Sequence, residues 1–178
     1  RVKRNEQSLQ EIWDYVKRPN LHLIGVPESD RENGIKLENT LTRRKNVIGF
    51  KPTETQANYW FKHLNEGLFN GKLPSVPLYI CRMTSDWGRC WANWDNRKCR
   101  KGTYDQNVIP YGKCEIDFAI ELHSKYPTWR DFIETLAHEM VHLYQMTVLK
   151  DPYSNHNANF FAFRNKFKSA GLTLSRTG

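Results

Sequence analysis

Residues 128 to about 149 constrain the fold more than any other segment of this chain. Thr128 and Asp131 have the spacing of a capping box, a pattern that begins a helix. Apolar residues then recur three and four positions apart, namely Phe132, Ile133, Leu136, Met140 and Leu143. This pattern predicts an amphipathic helix that buries one face, and the Pro- and Asn-containing residues 150–155 end it.

Two histidines lie four positions apart on this predicted helix. They are His138 and His142, with three residues between them, and Glu139 directly follows the first. At about 100° per residue, both imidazoles project from one face, nearly opposite the apolar stripe. This HExxH spacing suits one Zn²⁺ ion, with the glutamate placed to take a proton from a zinc-activated water. We therefore expect a zinc-dependent hydrolase with Glu139 as its general base.

A catalytic zinc takes three protein ligands and keeps one position open, so a third donor is expected. His156 is the best candidate, because the chain can turn back after His142 and because Phe160, four residues later, faces inward on a last helix. The alternative is a buried histidine that donates to a backbone carbonyl. Three further histidines lack partners at ligand spacing, namely His22, His63 and His123.

The rest of the chain after residue 42 predicts an α+β fold. A capping box at residues 53–56 begins a helix that ends at Asn70. Three strands are expected after it, at residues 76–83, 88–93 and 114–122, and a last helix from about residue 156 to 170. We expect a small three-stranded antiparallel sheet, packed with the HExxH helix and flanking helices.

The basic charge of the chain favours a polyanionic partner. Its 178 residues carry a net charge of +8, all of it after residue 42. Tryptophans alternate with basic residues in residues 86–101, a pattern that can stack bases and contact phosphates. The candidate contacts to single-stranded DNA are Arg97, Lys98, Arg100 and Lys101. The alternative is a hairpin whose tryptophans pack on the sheet and whose basic side chains are solvated.

Several classes of protein are excluded by composition. No apolar run approaches the roughly 18 residues that cross a bilayer, and residues 1–5 lack the apolar segment of a secretory signal. We therefore expect an intracellular protein with no membrane partner. The four cysteines form no CxxC pair, so no zinc ribbon is predicted. Reduced thiols are expected, and a disulfide within a hairpin stays open.

Four motifs after about residue 45 match one known family. They are Phe69-Asn-Gly-Lys-Leu73, Gly88-Arg-Cys90, Thr135-Leu-Ala-His-Glu-Met-Val-His142, and the segment from His156 to Phe160 with Gly171 beyond it. With these motifs, residues 45–175 resemble the SprT-like zinc metalloproteases. The family usually has Gly after the third histidine, and Asn157 stands there in this chain.

This resemblance implies a zincin-like fold and a zinc metallopeptidase. Zn²⁺ is then held by His138, His142 and His156, with Glu139 as the base. The implied substrates are proteins, including proteins bound or crosslinked to DNA. We expect the strand at residues 114–122 to receive an extended peptide by strand addition. The alternative is a non-catalytic nucleic-acid-binding module that keeps zinc for structure.

The first 41 residues are similar to a different family. Residues 1–20 and 23–29 resemble the end of the coiled coil and the start of the RNA-recognition domain of the first open-reading-frame protein of LINE retrotransposons. RNA binding is not carried over, because most of that domain is missing. We expect a chimera, with a retrotransposon-like appendage at residues 1–42 and a SprT-like domain at residues 43–178.

Overall fold

The computed structural model describes residues 49–99 and 108–176. The helix and strand expected within residues 1–42, and Arg100 and Lys101, lie outside them. The first described helix, α1 (Glu54–Phe69), begins at the predicted capping box. Thr53 Oγ1 accepts from the Gln56 N–H at 3.2 Å, and Gln56 Oε1 accepts from the Thr53 N–H at 2.9 Å. The helix ends at Asn70, which has the left-handed φ of 56°.

The three described strands form one mixed sheet. They are β1 (Leu78–Cys81), β2 (Gly88–Asn93) and β3 (Asp117–His123), in the order β1-β3-β2. Strand β3 pairs antiparallel with β2 and parallel with β1. The prediction of a purely antiparallel sheet was therefore wrong. Strands β1 and β2 run in opposite directions, so a strand inserted between them is necessarily parallel to one of them.

The central position of β3 corrects a second expectation. Because β1 and β2 occupy its two edges, β3 offers no free edge to an added peptide strand. Its burial alternates along the strand: Ile120 and Leu122 are fully buried, whereas Asp117 is exposed and Glu121 is partly exposed. Ala119, at 1% exposure, is the buried residue on the second face.

Helix α2 (Trp129–Thr147) is the HExxH helix, and both its capping box and its apolar stripe are confirmed. Asp131 Oδ2 accepts from the Thr128 N–H at 2.9 Å, and Thr128 Oγ1 accepts from the Asp131 N–H at 3.1 Å. The stripe packs into one core with α1 and the sheet. Each of these side chains contributes on the order of 1.5–3 kcal/mol by its burial. They are Phe132, Ile133, Leu136, Met140 and Leu143.

The expected last helix is divided into α3 (Ala158–Phe161) and α4 (Arg164–Ser169). His156 precedes α3, because the Asn157 side chain caps it: Asn157 Oδ1 accepts from the N–H groups of Asn159 and Phe160. As predicted, Gly171 follows the helix, with a positive φ of 70°.

Two of the four cysteines are paired. Cys99 and Cys114 form a disulfide, whereas Cys81 and Cys90 are free thiols. This differs from the expectation of reduced thiols throughout and agrees with the alternative of a disulfide near the hairpin. No helix within the described ranges is both long and apolar enough to cross a membrane.

Candidate metal centre and active site

Three histidines meet between α2 and the turn before α3. The Nε2 atom of His156 lies 3.1 Å from Nε2 of His138 and 3.2 Å from Nε2 of His142. Within the described residues, these three form the one group of at least three His, Cys, Asp or Glu side chains with metal-binding geometry. The two α2 histidines are brought together by helical spacing, and His156 by the chain reversal after α2. The sequence predicted this convergence.

The spacing of the three nitrogen atoms fits a zinc ion. Tetrahedral Zn–N bonds of about 2.0–2.1 Å place two ligand nitrogens about 3.3–3.4 Å apart. The observed separations of 3.1 and 3.2 Å are close to that value. No fourth His, Cys, Asp or Glu side chain from the described part of the chain joins the group. Catalytic zinc sites also have three protein ligands and keep one position open.

An aromatic ring closes the base of the histidine cluster. Phe160 is fully buried, and its ring centroid lies 4.9, 4.7 and 4.6 Å from those of His138, His142 and His156, respectively. An apolar base of this kind excludes water from one side of a metal site. The sequence signal for this contact was the predicted inward-facing position of Phe160 on the last helix, four residues after His156.

The surroundings of the imidazoles favour their neutral forms. Burial, followed by the neighbouring histidines, lowers the pKa of His138 to about 3. Burial and His156 lower the pKa of His142 to about 4, and burial also lowers the pKa of His156. A metal ligand has to be deprotonated, so neutral imidazoles are the form that binds a cation.

The second ring nitrogens of the α2 histidines face polar groups of the chain. His142 Nδ1 lies 3.0 Å from Gln145 Oε1, an atom that only accepts, so Nδ1 carries the proton and Nε2 keeps its lone pair. His138 Nδ1 is buried without a hydrogen bond of ordinary geometry, and the backbone of Ser175 faces it. Contacts of this kind orient metal-binding imidazoles.

The Glu139 side chain is buried between its own helix, α2, and strand β2. Only 4% of its surface is exposed, and its carboxylate accepts from the backbone N–H of Cys90. Burial raises the pKa of Glu139 to about 8, although the hydrogen bond from Cys90 opposes the shift. Burial, followed by the charge of Glu139, raises the pKa of the Cys90 thiol. The strand approaches this closely because residue 88 is glycine: a Cβ there would lie 3.0 Å from Glu139 Cγ.

A cavity of about 240 Å³ opens beside His138. Its floor is one stripe of α2, at positions i, i+3, i+4 and i+7, and its walls come from the loop before β2 and from the C-terminal segment. The residues around it are Trp87, Pro127, Asp131, Glu134, Thr135, His138 and Ser175.

The predicted nucleic-acid contacts do not form a positive surface in the described residues. Arg97 binds the carboxylate of Asp95 at 3.0 Å, and Arg97 and Lys98 line a cavity of about 390 Å³. Three acidic side chains share that cavity, namely Asp95, Glu115 and Asp117. The positive charge of Arg97 and Lys98 is therefore offset locally.

The other predicted candidates lie apart from the histidine cluster. His123 Nε2 donates to the Met83 carbonyl oxygen, and the His123 backbone N–H donates to the Tyr126 hydroxyl. Neither His63 nor His123 belongs to the metal-binding group, and His22 lies outside the described residues. The sequence analysis did not predict two features around the histidine cluster, namely the contact of Gln145 with His142 and the helix cap by Asn157. The signal for Gln145 was its place three residues after His142, on the same helical face.

Comparison with known families agrees with both resemblances. Residues 1–15 match the L1 transposable element trimerization domain, and residues 18–65 match the L1 transposable element RBD-like domain. The second match runs past residue 42, so the expected domain boundary there stays a prediction. Residues 57–177, more than half of the chain, match the SprT-like family, which implies a metallopeptidase-type enzyme. The chain therefore belongs to the SprT-like family.

Proposed function

We propose that the chain is a zinc metallopeptidase in which His138, His142 and His156 hold Zn²⁺ and Glu139 is the general base. The observation that carries this proposal is the convergence of three Nε2 atoms, at separations of 3.1 and 3.2 Å. Glu139, which directly follows His138 on α2, is buried. Membership of the SprT-like family supports it. The alternative of a purely structural zinc is less well supported, because structural sites are closed by four protein ligands.

The chemistry divides between the metal and the protein. When bound, zinc lowers the pKa of a coordinated water to about 7 and polarises a carbonyl group. Glu139 takes the proton of the attacking water and later gives it to the leaving amine. The Cys90 N–H orients the carboxylate during both transfers. With Zn²⁺ held by the three histidines, Glu139 would have a pKa below its raised value and would act as a base at neutral pH.

We assign the substrate to the edge of β2 that faces away from β3, called the free edge because no other strand of residues 49–99 and 108–176 pairs with it. The His123 N–H donates to the Trp87 carbonyl oxygen at 2.9 Å, so Trp87 and the alternate residues after it bond to β3. The backbone groups of Gly88, Cys90 and Ala92 then point away from β3, as the bond from the Cys90 N–H to Glu139 requires. A substrate in extended form can pair with this edge beside the histidine cluster.

The cavity beside His138 is the proposed site for a substrate side chain. The cavity shares His138 with the metal centre. The other α2 residues of its floor lie up to seven positions before His138, about 10 Å along the helix axis. A long side chain next to the cleaved bond would enter the part of the cavity nearest His138. The described lining of the cavity contains two carboxylates and the Trp87 indole but no lysine or arginine, which disfavours acidic substrate side chains.

Substrates bound to DNA are a further part of the proposal. It rests on the net charge of +8, all of which lies after residue 42. The test is the affinity of the full chain for single-stranded DNA between 50 and 200 mM salt. A protein that neutralises several phosphates loses affinity steeply over about this range. No salt-dependent binding would remove DNA from the proposal while leaving the peptidase untouched.

Zinc content and cleavage of an unfolded protein substrate test the proposal together. We expect one zinc per chain in the wild type, and much less in H156A. The E139Q variant should keep its zinc and lose cleavage by at least two orders of magnitude, because it retains the shape but not the base. Cleavage retained by E139Q would rule out Glu139 as the base, and a wild type that cannot be loaded with zinc would rule out the metal centre.

A further inference from the structure

Gln145 is a fully buried polar side chain that the proposed reaction does not use. It lies on α2 three residues after His142, with 0% of its surface exposed. A buried amide without partners costs several kcal/mol at the upper end of estimates, so its hydrogen bonds identify its role.

One end of this amide faces the second ring nitrogen of a proposed zinc ligand. Gln145 Oε1 lies 3.0 Å from His142 Nδ1. The orientation of the amide is fixed independently, because Nε2 lies 2.9 Å from the Asn155 carbonyl oxygen, which can only accept. Gln145 therefore presents an acceptor to His142, which places the proton on Nδ1 and leaves Nε2 free for a metal. Ser154 Oγ is more distant from the same nitrogen, at 3.4 Å.

The other end holds the turn that carries His156. Gln145 Nε2 donates to Asn155 O at 2.9 Å and to Asn157 Oδ1 at 3.1 Å. These are the residues on either side of His156. The same Asn157 oxygen caps α3, and Asn157 Nδ2 donates to Asp151 Oδ2 at 2.8 Å. The turn is therefore fixed to α2 through one side chain.

We infer that Gln145 is a positioning residue that couples two of the three zinc ligands, His142 and His156. It sets the tautomer of the first and the location of the second. The inference rests on the proposed three-histidine metal centre. It also gives a reason for Asn157 in this chain: its side-chain oxygen completes the bond to Gln145, which a residue without a side chain does not offer.

Two substitutions separate the contacts of Gln145. Q145L keeps the approximate shape and removes both contacts. Q145E keeps an acceptor toward His142 but turns a carboxylate oxygen toward the acceptors Asn155 O and Asn157 Oδ1, so the contact to the turn becomes repulsive while the contact to His142 is kept. The matched control is T147V on the same helix, which removes the bond from Thr147 Oγ1 to the Leu143 carbonyl oxygen at 2.7 Å and touches neither ligand.

The experiment measures zinc affinity of the full chain by competition with a chromophoric chelator, together with the visible spectrum of the cobalt(II)-loaded protein. We expect Q145L to weaken zinc binding about 10- to 100-fold, the usual range for residues that orient metal ligands, and to alter the cobalt spectrum. Q145E should have a smaller effect. T147V should lower only the thermal stability.

The coupling is tested by repeating the measurements in the H156A background. In that background the contact to the turn has no zinc ligand to position, so Q145E should not lower the zinc affinity further. Q145L should still lower it, because the contact to His142 is lost. Wild-type zinc affinity in Q145L, or equal losses in Q145L and T147V, overturns the inference alone. Absence of zinc from the wild type overturns the metal centre and this inference with it.

Discussion

Gly88 lies against the side chain of Glu139, so that a Cβ atom on residue 88 would stand 3.0 Å from Glu139 Cγ and 2.7 Å from Thr135 Cγ2. Both separations are below ordinary van der Waals contact. The backbone of β2 therefore reaches the proposed base only because residue 88 has no side chain. The same approach lets the Cys90 N–H donate to the Glu139 carboxylate.

We predict that G88A retains zinc but loses most of its activity. The added methyl group displaces either β2 or the Glu139 side chain, at a cost of about 1–3 kcal/mol in the free energy of unfolding. The measurements are zinc content, kcat and denaturant unfolding. In a second variant, T135S is combined with G88A and removes the Thr135 Cγ2 methyl group, which lies 2.7 Å from the added Cβ. This double variant should recover part of the lost activity and part of the lost stability.

The control for this prediction is G112A. Gly112 has nothing within 4 Å of its added Cβ, but its φ of +71° disfavours a side chain. Backbone strain should lower the free energy of unfolding of G112A by about 1 kcal/mol and leave kcat unchanged. Full activity in G88A would show that β2 does not position Glu139.

The hydrogen-bonded carboxylate of Asp151 leads to a pH-dependent prediction for the His156 turn. Burial acts to raise its pKa, but hydrogen bonds from Asn157, from the N–H groups of Tyr153 and Ser154, and from Asn159 together lower it below its usual range. A lowered pKa in the folded state means that the ionised carboxylate stabilises the fold. That stability is present above the unfolded pKa of about 3.9 and is lost as the pH falls through the folded value.

We therefore predict that D151N is less stable than the wild type at pH 7, by about 1 kcal/mol because the group is partly solvated. The difference should shrink as the pH falls below about 4. Urea unfolding of both proteins at pH 7 and 3.5 measures it, and effects common to both proteins cancel in the difference. A gap that stays constant over this range would exclude a stabilising charge on Asp151.

The parts of the site that the sequence predicted are those that depend on local geometry. Helical spacing alone brings His138 and His142 together, and the capping box of Thr128 fixes where α2 begins. His156 was found because the chemistry of zinc required a third ligand. Its position in a turn was not predicted, because the cap by Asn157 makes α3 begin after it.

The sheet could not be predicted in the same way. The pairing of Leu78 with Ile120 joins residues far apart in the sequence, and no local pattern states that β3 inserts between β1 and β2. Burial of Ala119 on the second face follows from that insertion. Gln145 was missed for a related reason, because its partners Asn155 and Asn157 are set by the chain reversal rather than by helical periodicity.

The free edge of β2 gives a prediction for substrate binding. The Ala92 N–H points away from β3, whereas the Trp91 N–H lies on the paired side. Proline at residue 92 removes a donor from the free edge without breaking the sheet. We predict that A92P raises KM several-fold with little change in stability or zinc content, and that W91P, which removes a bond to β3, unfolds the domain. Unchanged KM in a folded A92P would place the substrate elsewhere.

The disulfide between Cys99 and Cys114 gives the last prediction, which concerns stability and not the metal. The two cysteines are 15 residues apart, and a bond that closes a loop of this size contributes up to about 3 kcal/mol in the chain-entropy account. Thiol titration of the unfolded, oxidised protein should find two free thiols, Cys81 and Cys90, and four after reduction. The C99S/C114S variant should unfold at lower urea concentration and keep its zinc, because neither cysteine is in the histidine cluster. Four free thiols before reduction would show that the bond is absent in solution, and zinc loss in the variant would show that this loop supports the metal centre.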